Sequence, residues 1–195
     1  YWDADVTLSD SAKQYHTVEK QTAVYDDNPL DLTIFVSCYN EQDFIYDTLA
    51  TVVNAMDIIG KSYEIIVIDD GSKDQSVQLV KKFIEEHQHI NIIHRINKKN
   101  KGLAHNFVDA AFIGRGKYYR LICGDNAEPI DTIVSVISKM GQSDMIIPYY
   151  VSAEGKSLYR RSVSKLYTKI INLVSGNNLN YYNGLQVHLR HNVMR

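Results

Sequence analysis

The apolar run Ile65-Ile66-Val67-Ile68 leads directly into Asp69-Asp70-Gly71-Ser72. An unbroken, mostly β-branched run predicts a strand buried on both faces, the habit of parallel sheets covered by helices. The pattern recurs. Leu32-Thr33-Ile34-Phe35-Val36-Ser37 leads into Cys38-Tyr39-Asn40-Glu41, and Tyr118-Tyr119-Arg120-Leu121-Ile122 leads into Cys123-Gly124-Asp125-Asn126. In open α/β sheets, ligands bind beyond the carboxyl ends of the strands, where strand order reverses. Strand ends of this kind bring several acids to one sheet edge, which is unfavourable unless a positive group sits among them. The pattern predicts a ligand site there.

Helical periodicity fills the intervals between strands. Ile45, Leu49, Val52, Val53, Met56 and Ile59 recur at three and four and predict a helix ending near Gly60. Ser72-Lys73-Asp74-Gln75 has capping-box spacing and predicts the start of a helix through Val77, Val80, Phe83 and Ile84. Residues Ile90 to Ile96 read as a strand, followed by a Lys-rich loop to Gly102 and a helix with Leu103, Phe107 and Ala110 inward. Pro129 opens a helix with Ile130, Ile133, Val134 and Ile137 inward and Gly141 at its close, and Met145-Ile146-Ile147-Pro148 reads as a strand. Alternating strands and helices predict an α/β fold with a mostly parallel central sheet flanked by helices. Residues 1–29 read as a polar N-terminal extension closed by Pro29, residues 30–150 as the α/β ligand-binding region, and residues 151–195 as a basic segment of the same domain.

A chain of 195 residues suits one domain with a full core. Cys38 and Cys123 make no disulfide framework and fit a reducing compartment. No apolar run is long enough to cross a membrane. The chain does not begin with Met and ends abruptly at Arg195, so flanking residues are expected. The net charge of −2 hides an asymmetry: all 23 acids lie in residues 1–154, while residues 155–195 carry seven Lys and Arg and no acid. Such a basic end suits an anionic partner.

Several nucleotide-binding designs are excluded. The turn Ser37-Cys38-Tyr39-Asn40-Glu41 has no glycine, so the dinucleotide G-x-G-x-x-G is missing, as are a P-loop and a G-x-S-x-G elbow. No Cys or His spacing suits zinc. A carboxylate grips a diphosphate only through Mg2+ or Mn2+, whose hard charge both oxygens share. Other carboxylates can accept hydrogen bonds from a base or a ribose.

Val36-Ser37-Cys38-Tyr39-Asn40-Glu41, Val67-Ile68-Asp69-Asp70-Gly71-Ser72, Asn100-Lys101-Gly102-Leu103-Ala104-His105-Asn106, Gly116-Lys117-Tyr118 and Gly124-Asp125-Asn126 occur in this order over about residues 31–150. The set resembles the family-2 glycosyltransferases of the GT-A fold. That resemblance implies an inverting transfer of sugar from a nucleotide-diphospho-sugar, a UDP- or GDP-sugar. It implies that Tyr39, Glu41, Asp69 and Asp70 line the nucleoside pocket. Lys101, Gly102 and Asn106 would pack beside the nucleotide, and Asp125 would be the catalytic metal ligand, with Glu128 assisting from the helix start. One departure concerns the family's Asp-x-Asp motif: Cys123 occupies the first acid position, and a thiol is a poor ligand for a hard cation. A nucleotidyltransferase would need the absent Gly-rich loop, whereas a nucleotide-sugar-binding module without catalysis remains an alternative.

Residues 157–174 predict a basic amphipathic helix, with Val163, Leu166, Ile170 and Leu173 on one side and Arg161, Lys165 and Lys169 on the other. Arg160-Arg161-Ser162-Val163-Ser164-Lys165-Leu166-Tyr167, with Asn172, Gly176, Gly184 and Arg190, is similar to the corresponding segment of polyprenyl-phosphate glycosyltransferases. The resemblance implies a dolichyl- or undecaprenyl-phosphate acceptor and peripheral contact at the cytoplasmic face of a membrane. Asn180 stands where an acid is expected before Gly184. A phosphate acceptor is already ionised and needs no general base, and the region offers Arg160, Arg161, Lys165, His188 and Arg190 to bind it. A glycan hydroxyl is the alternative acceptor, and no nucleic acid partner is expected.

Overall fold

The computed structural model describes residues 4–10, 12–13, 30–148, 158–180, 182 and 184–195. Its core includes the strand foreseen from the apolar run, β3 (Tyr63–Asp69), where Glu64 to Asp69 are all buried. On one side β3 pairs in parallel with β2 (Leu32–Cys38), and on the other with β4 (Ile92–Asn97). The next strand, β5 (Tyr118–Cys123), returns to the free side of β2, again in parallel. Strand order therefore reverses at β2, which opens a crevice at the carboxyl ends of β2 and β5.

Three antiparallel strands complete a seven-stranded sheet in the order β1-β4-β3-β2-β5-β7-β6. They are β1 (Ala4–Leu8) along β4, β7 (Val187–Leu189) along β5, and the short β6 (Met145–Ile146) beyond β7. Within the segment read as an extension, Ala4–Leu8 thus adds an edge strand. Ser9 fastens it: its N–H donates to the Ile92 carbonyl (3.0 Å) and its hydroxyl accepts from the Ile92 N–H (2.9 Å). A covered β4 edge no longer offers unpaired backbone to another chain. Ala4, Val6 and Leu8 alternate with Asp5 and Thr7, a strand period that the reading of residues 1–29 as a polar extension passed over.

Alternation along the strands divides the core between two faces. Ile34, Val36, Ile65, Val67, Ile92 and Ile122 pack under helices α1 (Ile45–Ile59), α2 (Ser76–Glu86) and α4 (Ile130–Ile137). Phe35, Ile66, Ile68, Ile93 and Tyr119 pack on the other side, under Ala110 and Ala111 of α3 (Leu103–Ile113). Helix α1 buries Leu49, Val52, Val53 and Met56 as the periodicity foretold, and ends at Gly60 in the left-handed region (φ 66). Helix α2 starts at Ser76, three residues later than the capping-box spacing places it, and no side chain caps it in that manner. Ser72 and Asp74 instead accept hydrogen bonds from the backbone N–H groups of Asn40 and Gln42 across the turn. Beyond these lie α5 (Leu158–Ser175) and the short α6 (Arg190–Val193).

His94 on β4 is fully buried, and neither ring nitrogen has a hydrogen-bond partner. Burial, with Lys81 adding to it, pushes its pKa down to about 3. The folded protein thus refuses a proton that the unfolded chain accepts below about pH 6.5. This stabilising difference is complete above that value and shrinks as pH falls toward 3. Between pH 7 and 5 the loss is about 2 kcal/mol. Urea midpoints at the two pH values check it: His94→Leu is expected to flatten the difference, and an unchanged pH dependence contradicts it.

Candidate active site

The crevice at the strand ends is an open pocket of about 370 Å3. Ser37, Cys38, Tyr39 and Glu41 approach it from β2, Ile68 and Asp70 from β3, and Cys123, Gly124 and Asp125 from β5. Asn100, Gly102, Leu103 and Asn106 close it from the loop before α3 and from α3 itself. Backbone bonds knit the strand ends together. The Asp70 N–H donates to the Cys38 carbonyl (2.8 Å) and the Gly124 N–H to the Ser37 carbonyl (2.9 Å). The Gly124 carbonyl accepts from the Thr48 hydroxyl on α1 (2.9 Å). A Cβ on Gly124 would lie 2.6 Å from the Ser37 carbonyl oxygen, so only glycine allows β5 to end this close to β2.

The neighbouring acids of β3 have different work. Asp69 is fully buried; its Oδ1 accepts from the N–H groups of Gly71 (3.1 Å) and Ser72 (2.8 Å), and its Oδ2 meets the Cys38 thiol at 3.5 Å. It shapes the turn and does not line the pocket, a correction to its expected place in the nucleoside site. Asp70 does line it. Its Oδ1 accepts from Asn97 Nδ2 (2.9 Å) and the Lys101 N–H (2.8 Å), and its Oδ2 from the Gly102 N–H (2.8 Å). Burial alone would raise its pKa, but these bonds and the Asn106 side chain outweigh it and hold the carboxyl below the usual range. Asp70 thus anchors the loop that opens α3, whose Gly102 adopts φ 88, a left-handed value that a side chain resists. Asn97, which also donates to Asn106 Oδ1 (2.9 Å), was missed in the sequence. Its signal was available: it is the polar residue at the carboxyl end of β4, the same sheet edge at which the acids after β2, β3 and β5 gather.

Negative charge gathers at the β5 side. Burial first, then the charges of Asp125 and Asp74, raise the Glu41 carboxyl above its ordinary value. Burial and Asp125 likewise raise the Cys123 thiol. Asp125 is exposed, and its Oδ1 accepts from the Ala127 N–H (3.1 Å). A divalent cation suits this donor set, because it would relieve the repulsion felt by Glu41 and would find a hard carboxylate oxygen at Asp125. Among the described residues no three His, Cys, Asp or Glu side chains form a cage, so phosphate oxygens would have to complete the coordination. Glu128 is not free to help: it forms an ion pair with the fully buried Arg120, and its Oε2 is buried.

The residues expected to meet an acceptor are dispersed. His188 pairs with Tyr119, near the amino end of β5, and so lies about 13 Å along the strand from Cys123. Its ring stands against Phe107. Arg190 is spent on backbone carbonyls, with Nε to Gly116 (2.7 Å) and Nη1 to Ala111 (3.0 Å). Both belong to the opposite end of the sheet because β7 returns antiparallel to β5. Lys101 contributes its backbone N–H. Lys165 is exposed on α5. Arg160 and Arg161 lie in the first turn of the same helix, and their side chains are outside the described residues.

Comparison with known proteins gives a consistent result. The profile described as glycosyl transferase family 2 matches residues 33–193. The dolichyl-phosphate beta-glucosyltransferase of Dictyostelium discoideum is 31% identical over 133 residues, 63% of this chain and 41% of that protein. The undecaprenyl-phosphate 4-deoxy-4-formamido-L-arabinose transferase of Edwardsiella ictaluri (strain 93-146) is 24% identical over 152 residues, 77% of this chain and 46% of that protein. The chain thus spans less than half the length of these relatives. Glucosyl-3-phosphoglycerate synthase from Mycobacterium tuberculosis, solved with Mn2+, UDP and glucosyl-3-phosphoglycerate, superposes with a TM-score of 0.57 at 12% identity, covering 83% of this chain and 57% of that one. This last likeness is one of fold, and the fold is GT-A.

Proposed function

This chain belongs to glycosyl transferase family 2, and we propose that it moves a sugar from a nucleoside diphosphate to a polyprenyl phosphate, with inversion at the anomeric carbon. One observation carries the reading: Asp70, Asp125 and Tyr39 converge on one pocket at the strand-order reversal. Tyr39, 46% exposed at the pocket rim, offers an aromatic face to a base. Asp70 and Asn106 shape the floor on which the nucleoside rests. Asp125, with Glu41 nearby, would hold Mg2+ or Mn2+. The ion would neutralise the charge that develops on the departing diphosphate. The acceptor phosphate oxygen attacks in line, and positioning supplies much of the acceleration.

The acceptor reading is supported by the two polyprenyl-phosphate relatives and by the chemistry of α5. That helix exposes Leu166, Ile170 and Leu173, the last at 86%, beside exposed Lys165 and Lys169. Such a surface suits peripheral contact with an anionic membrane, at the cytoplasmic face where nucleotide sugars are held. Among the described residues no helix is long and apolar enough to cross a membrane.

A thermal-shift panel of UDP, GDP, CDP and dTDP with Mn2+ tests the donor side. One nucleotide at a hundred times its Kd is expected to raise Tm by about 5–10 °C, and no shift with any of them overturns the nucleotide-sugar reading. Labelled sugar nucleotide incubated with protein and membranes tests the acceptor side. Label is expected in the organic extract as an acid-labile lipid; label only in water-soluble glycan overturns the lipid-phosphate acceptor.

A further inference from the structure

Arg120 is 0% exposed in the middle of β5. The side chains that share its face of the strand, Tyr118 and Ile122, belong to the apolar core, and its register partner on β2 is Ile34. An apolar side chain of similar size would fill such a position without desolvating a charge, and often at no loss of stability. The guanidinium therefore calls for an explanation beyond packing. Its Nη2 pairs with Glu128, and its Nη1 lies 3.5 Å from the Ile133 carbonyl of α4. Glu128 ends the loop that starts at Gly124 and carries Asp125.

That loop is held at both ends and by a side-chain contact to α1 between them. Gly124 is bound to β2 and α1 through its own backbone. Asn126 sits in the left-handed region (φ 50), and its Oδ1 accepts from the Thr51 hydroxyl at 3.2 Å. The far end is fixed by Glu128, the residue immediately before Pro129 and α4. We propose that the Arg120–Glu128 ion pair holds the 124–129 loop in the shape that presents Asp125 to the pocket. Glu128 is then a positioning residue, not a metal ligand. The pair does for Asp125 what outer-shell partners do for metal-bound side chains generally: it fixes their direction. This inference rests on the reading of Asp125 as the metal-holding acid of a nucleotide-sugar site.

Mn2+ binding in the presence of UDP, followed by electron paramagnetic resonance, tests it without relying on turnover. Glu128→Gln is expected to weaken Mn2+ binding about tenfold while UDP alone binds as to the parent. Arg120→Met/Glu128→Leu replaces the pair by apolar groups and serves if the single variant fails to fold. It is expected to keep the parental Tm within a few degrees and still to bind Mn2+ about tenfold more weakly. Parental Mn2+ affinity in either folded variant overturns the positioning role and leaves a purely structural pair. Failure of the parent itself to bind UDP strikes the nucleotide-sugar reading instead, so the two failures are told apart.

Discussion

Asp125→Ala is expected to lower sugar transfer by a factor of about 100 to 1,000, while Cys123→Ala keeps most of the parental rate. The two residues face the same pocket from the end of β5, yet their chemistry differs. Asp125 presents a hard anionic oxygen in a region whose negative potential already lifts the Glu41 carboxyl. Burial, and then the charge of Asp125, keep the Cys123 thiol protonated at neutral pH, where it is no ligand for a hard cation. On the proposed reading Cys123 does not replace the family's first acid, and Asp125 would carry the metal contact at the end of β5. Initial rates at saturating donor and Mn2+ decide the matter. A parental rate in Asp125→Ala removes the metal assignment, and equal loss in Cys123→Ala shows that the thiol has taken over the role of the missing acid.

Asp70→Ala is expected to destabilise the fold by about 3–5 kcal/mol and to abolish nucleotide binding. Its carboxylate receives Asn97 Nδ2 and the N–H groups of Lys101 and Gly102, and without it these partly or wholly buried donors lose their acceptor. Each such loss costs about 1–3 kcal/mol, less where water can enter from the open pocket. The effect depends on pH with a definite sign. Because the folded carboxyl titrates below its ordinary value of 3.8, its stabilising contribution is complete above that value and disappears as pH falls through the folded pKa. Urea midpoints of parent and variant should therefore differ most near neutral pH and converge below pH 3.8. A variant with parental stability and parental UDP affinity contradicts both roles of Asp70.

The motifs legible in the chain were those built from neighbours in sequence. Strand β3 was evident because consecutive apolar side chains alternate between two faces and all of them are buried. Helix α1 was evident because its apolar residues return every third or fourth position and Gly60 can adopt the left-handed turn that ends it. The start of α2 was less evident. Ser72 and Asp74 can cap a helix or bridge to a distant turn, and the backbone of Asn40 and Gln42, more than thirty residues away in sequence, captured them.

Local pattern and chain order were enough to specify parallel strands ending in acid, the helices between them and the kinship with family-2 glycosyltransferases. These rest on side-chain periodicity and on residues a few positions apart. Which acid serves the pocket rested on long-range pairing. The β2–β3 register and the turn after it spend Asp69 on the backbone of Gly71 and Ser72 and aim Asp70 at the cavity. A buried arginine two strands away from β3 claims Glu128, and the antiparallel return of β7 carries His188 and Arg190 to the far end of the sheet. A charge's partner is whatever the fold brings within about 4 Å, and at that range sequence separation carries no information.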